Sequence, residues 1–290
     1  MRLGARLCFS LALGLAACSS KEEPVGTATK LVFSAIPDQD ETRLREKYAP
    51  VAAYLSDALG MPVEYLHSTS YEDTVEHFKN GDVQLAWFGG LSGVQARHAV
   101  DDAEAIAMGA SDAEFRSYFI AHRDAGVEPA ETFPMGLAGK SFTFGSRGST
   151  SGRLMPEHFI RAATGRSPAE FFGMETPNHA DSHDATVELV ESGRFQAGAV
   201  NRAVYDRRVE EGTTDPNVCR VVWTTPPYPD YNFTVHPSLG AERIAALQRA
   251  ILEMNDENLL SAFLREKFVP CSNRDFEPIE KLARELGFLR

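Results

Sequence analysis

The sequence predicts an α/β fold of two lobes, each a mostly parallel sheet flanked by helices, with a ligand cleft between the lobes. Short apolar segments of strand length alternate with amphipathic helical segments as far as residue 112, and the same alternation then starts again. The chain has 290 residues, which is long enough to give each lobe its own core. Ligands of such folds bind at the carboxyl ends of strands, so we expect the site in the cleft.

The first part of the pattern contains apolar strand segments separated by helices. Residues 41–59 carry apolar side chains at helical spacing and stop at Gly60, and Ser70 can cap the next helix with its side chain. The predicted strands are 31–35, 63–66, 83–88 and 103–108. The predicted helices are 41–59, 71–79 and 92–99.

The second part repeats this order and ends in a largely helical tail. The predicted strands are 118–122, 140–144, 197–200, 218–224 and 232–235. The predicted helices are 153–163, 185–192, 203–211, 241–255, 257–268 and 277–286. We expect the chain to cross between the lobes near residue 112 and to return near residue 225. The first lobe would then comprise residues 31–112 and 226–290, and the second lobe residues 113–225.

The N-terminal segment is typical of an export signal followed by a tether. Arg2 and Arg6 precede an apolar stretch that is too short for a stable membrane span, so residues 1–17 form a predicted signal peptide. Leu-Ala-Ala-Cys at residues 15–18 matches the bacterial lipobox, which makes Cys18 the predicted lipidation site. The polar segment 18–30 would then be a flexible tether. We expect a lipoprotein anchored to a membrane in the periplasm or on the outer cell surface.

Cys219 and Cys271 remain in the chain after export and lipidation. An exported protein enters an oxidising compartment, where a disulfide between these two residues is one of two outcomes that the sequence leaves open. The other outcome is two free thiols, because a sequence does not show whether the two backbones come close enough for a bond.

Composition and motifs favour a binding protein over an enzyme. The net charge of −12 repels nucleic acid and anionic lipid headgroups, so no nucleic-acid partner is expected. The chain lacks a Gly-x-Ser-x-Gly elbow, a phosphate loop, a Cys-x-x-Cys pair and a His-Glu-x-x-His motif. His179, Asp181, His183 and Asp184 lie close in sequence, and we interpret them as a loop and a helix start rather than a metal site. The sequence therefore predicts neither a metal nor an organic cofactor.

One segment has the composition of an anion-binding loop. Residues 145–153, Gly-Ser-Arg-Gly-Ser-Thr-Ser-Gly-Arg, follow a predicted strand and open a predicted helix. The free N–H groups of a first helical turn attract anions, and the Ser and Thr hydroxyls add further donors. Gly148 and Gly152 let the backbone approach a ligand closely. An ordinary helix capped by Ser or Thr would show the same pattern, and the segment alone does not separate the two readings.

The chain resembles the phosphonate-binding-protein family, the solute receptors of ABC importers for phosphonate, phosphite and related oxyanions. The residues that carry this resemblance are Ser70-Tyr71, Val-Gln-Leu-Ala-Trp-Phe-Gly at 83–89, Ser-Thr-Ser-Gly at 149–152 with Pro156, and Ser-His-Asp-Ala at 182–185. Residues 36–40 and 87–96 are more similar to a subgroup named for selenate import. The resemblance implies a type II periplasmic-binding fold, a monomeric receptor and an ABC permease in the membrane as its partner.

The resemblance also implies which residues bind the ligand. It places Ser149, Thr150 and Ser151 on the oxygens of the anion, with Tyr71 and His183 as further donors. Phe115 stands where the family has a tyrosine, so Arg116 or Tyr118 would have to replace that phenol. Asn201 and Tyr231 complete the candidate set.

Departures from the family pattern suggest the kind of ligand. Val204 and Tyr231 fall where receptors for aminophosphonates carry carboxylates, so a ligand with an ammonium group is not expected. The candidate residues include few carboxylates, with Asp38, Asp40 and Asp230 as the ones that could reach the cleft. We therefore expect a fully ionised oxyanion resembling selenate or sulfate. A phosphonate, phosphite or phosphate receptor is the alternative, and a ligand-sensing partner of a signalling kinase is an alternative of another class.

Overall fold

The computed structural model describes residues 30–289, which form two β-sheets with helices packed on their faces. The predicted signal peptide, Cys18 and nearly all of the tether lie outside the described residues. In chain order the strands are β1 Leu31–Ala35, β2 Val63–His67, β3 Leu85–Phe88, β4 Glu104–Gly109, β5 Ser117–His122, β6 Phe142–Phe144, β7 Asn178–His179, β8 Ala197–Asn201, β9 Cys219–Thr224, β10 Asn232–Val235 and β11 Phe268–Pro270. The α-helices are α1 Glu41–Leu59, α2 Tyr71–Lys79, α3 Gly90–Ala99, α4 Met155–Thr164, α5 Pro168–Phe172, α6 His183–Glu191, α7 Arg202–Glu210, α8 Ala241–Glu253, α9 Glu257–Ser261 and α10 Glu277–Glu285.

Six strands form one sheet in the order β11-β4-β10-β3-β1-β2, and five form the other in the order β7-β6-β8-β5-β9. We call the sheet of six strands with its helices lobe 1 and the sheet of five strands with its helices lobe 2. The predicted α/β two-lobed fold class is confirmed. The predicted boundaries near residues 112 and 225 stay a prediction.

Most strands of each sheet run in one direction, as expected, but both sheets also contain reversed strands: β10 and β11 in lobe 1 and β5 in lobe 2. In lobe 1, β1 pairs in parallel with β2 and β3, but β10 pairs antiparallel with β3 and β4, and β11 pairs antiparallel with β4. In lobe 2, β5 pairs antiparallel with both β8 and β9. The reason for the reversal of β10 is topological. This strand enters its sheet on the chain's return from lobe 2 and runs opposite to its neighbours β3 and β4, which precede the crossing.

Several elements differ from the sequence prediction. The helix expected over 257–268 ends at Ser261, and the chain then turns at Leu264, whose φ of 55° is left-handed and incompatible with a continuing α-helix. Phe268 consequently starts the edge strand β11. The helix expected from residue 153 starts at Met155, after a π-helical turn over Thr150–Leu154. No helix within residues 30–289 combines the length and apolar character required for a membrane span.

The two crossing segments meet at Asp112, whose side chain is held by a buried ion pair. Arg265 binds Asp112 through Nε at 2.7 Å and Nη2 at 2.5 Å, and both side chains are buried. The backbone N–H of Asp230 donates to the carbonyl oxygen of Asp112 at 3.0 Å. This backbone hydrogen bond joins the outgoing segment at Asp112 directly to the returning segment at Asp230. The ion pair with Arg265 compensates the buried charge of Asp112, because a buried carboxylate is costly unless it is paired and hydrogen-bonded.

The cysteines do not form the disulfide that the sequence left open. Cys219 begins β9 in lobe 2, whereas Cys271 follows β11 in lobe 1, and both are free thiols. The two residues belong to different sheets, so the bond would have to join the lobes. Burial raises the pKa of each thiol to about 12, which keeps both thiols protonated and unreactive at neutral pH.

Candidate functional site

Polar side chains from both lobes meet in one buried group at the ends of the strands. Their positions follow from the topology: they lie after β1 and β2 and before β10 in lobe 1, and after β6, after β7 and at the end of β8 in lobe 2. None of them is more than 4% exposed. We call this group the central cluster, and its members are Asp38, Tyr71, Ser149, Thr150, Ser151, His183, Asn201, Asp230 and Tyr231.

The Ser-Thr-Ser segment opens the first turn after β6. Ser149 caps this turn, since its Oγ accepts a hydrogen bond from the backbone N–H of Gly152 at 3.0 Å. Its side chain also hydrogen-bonds with the phenol of Tyr71 in lobe 1. A Cβ at Gly148 would lie 2.8 Å from the Cβ of Tyr71, so glycine is required for this close approach. The first-turn N–H groups therefore face a polar region built by both lobes.

Thr150 joins the two lobes. Its Oγ1 accepts from the backbone N–H of Leu91 at 2.9 Å, and its hydroxyl donates to the carboxylate of Asp230. Asp230 Oδ1 in turn accepts from the backbone N–H of Gly90 at 2.8 Å. The hydroxyl of Thr150 is thus used both as a donor and as an acceptor across the lobe boundary.

His183 has a defined tautomer. Its Nδ1 accepts from the backbone N–H of Asn201 at 3.3 Å, so the ring proton resides on Nε2, which lies 3.5 Å from Ser151 Oγ. Burial lowers the pKa of His183 to about 4, and the imidazole is therefore neutral at neutral pH. His183 can donate one hydrogen bond to an anion without adding a charge.

Tyr231 and Asn201 form a chain of hydrogen bonds that ends on Asp38. Asn201 Nδ2 donates to the Tyr231 hydroxyl at 2.9 Å, and that hydroxyl donates to Asp38 Oδ2 at 2.8 Å. Asn201 Oδ1 caps α7 by accepting from the N–H of Ala203 at 2.7 Å. The backbone N–H of His183 donates to the carbonyl oxygen of Asp38 at 2.9 Å, which adds a second junction between the lobes.

Two carboxylates of the central cluster retain oxygens without a partner. Asp38 Oδ1 and Asp230 Oδ2 are buried and accept no hydrogen bond from any described residue. Burial raises the pKa of Asp38 to about 6 and that of Asp230 to about 7. The expectation of a cleft with few carboxylates was therefore wrong: both residues lie inside it, whereas Asp40 is exposed and caps α1. The unpaired oxygens can accept hydrogen bonds from a ligand that carries a proton.

Two predicted residues lie away from the central cluster. Arg116 donates to the carbonyl oxygen of Thr225 at 2.8 Å and lines a separate cavity of about 490 Å³. Tyr118 donates to Asp206 Oδ2 at 3.4 Å and contacts the ring of Tyr205. Neither replaces the phenol that Phe115 lacks. Tyr118 points away from the cluster because successive side chains of a strand face opposite sides of the sheet. Its neighbour on β5, Ser117, points towards the Ser-Thr-Ser segment and donates from Oγ to the Ser151 carbonyl oxygen at 2.6 Å.

A second set of contacts joins the lobes outside the central cluster. Arg43 of α1 forms a bidentate ion pair with Glu211 at the end of α7: Nη1 lies 2.9 Å from Oε1 and Nη2 lies 3.0 Å from Oε2. The backbone N–H of Asp40 donates to Asp184 Oδ2 at 3.3 Å. Both contacts connect α1 and the segment before it with lobe 2.

Comparisons with known proteins agree on one family. A family model described as the periplasmic substrate-binding protein of phosphonate ABC transporters matches residues 33–276. The chain is 33% identical over 271 residues to a probable phosphite-binding protein of an ABC transporter, PhnD1 of Prochlorococcus marinus, covering 90% of this chain and 91% of that one. It is 27% identical over 257 residues to the phosphate-import protein PhnD of Mycolicibacterium smegmatis, covering 82% of this chain and 77% of that one.

A solved structure supports the same assignment. PhnD1 of Prochlorococcus marinus in complex with methylphosphonate superimposes with a TM-score of 0.84 at 32% identity, covering 89% of this chain and 98% of that chain. The two-lobed fold is therefore shared with a protein whose structure holds methylphosphonate.

Proposed function

Because the chain belongs to the family of periplasmic substrate-binding proteins of phosphonate ABC transporters, we propose that it captures a small phosphonate or phosphite for an ABC permease. The related proteins bind or import phosphite, phosphate and methylphosphonate by their names, and none is named for selenate or sulfate. The expectation of a ligand resembling selenate or sulfate is thereby corrected in favour of its alternative.

The unpaired oxygens of Asp38 and Asp230 are the observation that carries this proposal. Close to neutral pH a phosphonate or phosphite exists partly in a singly protonated form that can donate a hydrogen bond, whereas sulfate and selenate have no proton to donate. An ionised carboxylate beside a fully ionised anion would be repelled at short range in a buried site. A site that offers both donors and buried acceptors therefore suits a partly protonated oxyanion.

The donors are proposed to come from the Ser-Thr-Ser segment and its neighbours. Ser149 and Ser151 supply hydroxyls, and Thr150, whose hydroxyl is already engaged by Asp230, supplies its first-turn N–H group. Tyr71 of lobe 1 and His183 of lobe 2 supply the remaining donors. Asn201 and Tyr231 contribute indirectly, because their hydrogen bonds orient the carboxylate of Asp38. Each of these groups is neutral, so the ligand is held by hydrogen bonds rather than by an arginine.

The structure removes one reason for excluding a ligand with an ammonium group. That exclusion rested on Val204 and Tyr231 standing in place of carboxylates. Asp38 accepts from Tyr231, so a carboxylate does lie at this end of the cluster. An aminoalkylphosphonate is therefore one of the ligands to be compared.

The N-terminal features complete the proposal. Acylation of Cys18 would anchor the receptor to a membrane through the tether 18–30, and this would keep a monomeric receptor close to its permease. The tether raises the local concentration of receptor at the permease without any further contact between them.

Calorimetric titration of the full-length protein in detergent tests the proposal. We expect methylphosphonate or phosphite to bind at least about tenfold more tightly than sulfate or selenate, a difference of about 1.4 kcal/mol or more. Phosphate and 2-aminoethylphosphonate complete the set and define the size and charge of the preferred ligand. Tight binding of selenate without binding of either phosphorus oxyanion would contradict the proposal.

A further inference from the structure

A second cavity adjoins the Ser-Thr-Ser segment from outside. It has a volume of about 680 Å³ and lies between the lobes, and we call it the vestibule. Gly148, which lines it, directly precedes Ser149, and Glu72, which also lines it, directly follows Tyr71. The lining of the vestibule and the central cluster are therefore directly adjacent in sequence at two points, one in each lobe.

The vestibule differs from the other cavities at the lobe junction in its charge. It is lined by two arginines, Arg147 and Arg153, and by one carboxylate, Glu72, together with His98 and His179. The cavity around Arg116 is balanced by four arginines and four carboxylates: Arg116, Arg202, Arg207, Arg265, Glu114, Asp206, Glu210 and Glu266. The cavity near Arg43 is balanced by three of each: Arg43, Arg207, Arg208, Asp40, Asp184 and Glu188. Of these three interlobe cavities, only the vestibule carries more arginines than carboxylates.

The two arginines of the vestibule have different surroundings. Arg153 is fixed by an ion pair with Glu157 and by the rings of Phe144 and Phe288, whose centroids lie 4.7 and 4.9 Å from its guanidinium carbon. Arg147 is exposed and forms no ion pair with any residue in the described range 30–289. Its charge is therefore available to a ligand, two residues before the Ser-Thr-Ser segment begins.

An anionic ligand needs such a charge outside the central cluster. The chain carries a net charge of −12, which opposes the approach of an anion at long range. Within the central cluster His183 is neutral, and the nearby Arg265 is already paired with Asp112. The cluster itself therefore offers donors for a bound anion but no free positive charge to attract one.

We propose that the vestibule is an outer anion-binding site at which Arg147 captures the oxyanion before the ligand passes to the central cluster. This inference rests on the proposed function, since it concerns the path of the same ligand. Capture at an exposed cation increases the rate of association and leaves the equilibrium affinity unchanged, because Arg147 is not one of the residues proposed to hold the bound ligand.

Stopped-flow fluorescence with methylphosphonate, and with phosphite as a second probe, tests this inference on the full-length protein in detergent. We expect R147Q to lower the association rate constant roughly three- to tenfold at low ionic strength and to weaken its dependence on salt. The equilibrium affinity should stay unchanged, so the dissociation rate constant should fall by the same factor, and R147K should restore most of the association rate. R194Q is the matched control, because Arg194 is exposed near the opposite end of β8 and its loss changes the net charge equally.

Each outcome bears on the inference. An R147Q protein that associates as fast as the unaltered protein would overturn it, and so would an equal loss in R194Q, which would indicate a global charge effect. Association rates that do not depend on ligand concentration would overturn it as well, since lobe motion would then limit capture. If neither probe binds in the equilibrium titration, the proposed function fails and this inference falls with it.

Discussion

The D230N and D38N variants should each bind methylphosphonate roughly ten- to a hundredfold more weakly than the unaltered protein. The amide oxygen of each asparagine can keep the existing hydrogen bond, from Gly90 in one case and from Tyr231 in the other. The amide nitrogen, however, replaces the unpaired oxygen, so a donor faces the ligand where an acceptor stood. A proton on the ligand then has no partner, and a fully ionised anion is no longer repelled.

The same substitutions should therefore reverse the selectivity of the site. We expect the affinity for selenate and sulfate to rise in D230N while the affinity for methylphosphonate falls, as measured by calorimetric titration of both ligands. D101N is the matched control, because Asp101 is exposed in lobe 1 and the substitution changes the charge by the same amount. An unchanged ratio of methylphosphonate to selenate affinity in both cluster variants would contradict the role assigned to these carboxylates.

The T150V variant should also lose at least about tenfold in affinity. Valine has the shape of threonine but no hydroxyl, so the buried N–H of Leu91 loses its acceptor and Asp230 loses a donor when the lobes close. Each unsatisfied buried group costs roughly 1–3 kcal/mol. The loss is expected in the closed complex and not in the fold of either lobe, because the hydroxyl joins residues of different lobes.

T150S separates the hydroxyl from the methyl group of Thr150. The serine hydroxyl can make the same two hydrogen bonds, so we expect T150S to bind methylphosphonate within about threefold of the unaltered protein. Titration of both variants, with thermal unfolding of the ligand-free proteins as a check of the fold, makes the comparison. Equal binding by T150V and the unaltered protein would show that this contact does not stabilise the closed state.

Elements defined by local patterns could be predicted from the sequence. The bounds of β1, α1 and α2 agree with the prediction because each combines an apolar period with a local stop or cap, such as Gly60 or the side chain of Ser70. The loop over residues 145–153 was placed between a strand and a helix for the same reason, since a Gly- and Ser-rich turn is a local signal, and its role in binding an anion stays a prediction.

Features that depend on distant parts of the chain could not be predicted in this way. Asp38 and Asp230 are far apart in sequence, and they meet because β10 returns between β3 and β4. Both follow a proline in a loop, a context that does not distinguish a buried carboxylate from a solvated one. The antiparallel pairings, the short helix α9 and the separation of Cys219 from Cys271 have the same origin in tertiary contacts.

The pH dependence of binding follows from the protonation of the two carboxyls. Burial raises the pKa of Asp38 to about 6 and that of Asp230 to about 7, so the closed protein holds protons that the unfolded chain has released. Their contribution to the free energy of unfolding is therefore present below the ordinary pKa of aspartate and is lost as the pH rises through about 6 and about 7. A ligand that carries a proton can donate it to the unpaired oxygen of Asp38 or Asp230, so binding should be favoured at pH values where the ligand or the carboxyl group is protonated.

Titration of the full-length protein with methylphosphonate between about pH 6 and pH 9 tests the recognition of a protonated oxyanion most directly. We expect the affinity to fall steadily above about pH 7, because the carboxylates and then the ligand lose the proton that they share. D230N should show a weaker dependence, since one of the two acceptors is absent. An affinity that stays constant or rises towards pH 9 would contradict the account, because the fully ionised ligand would then be the preferred one.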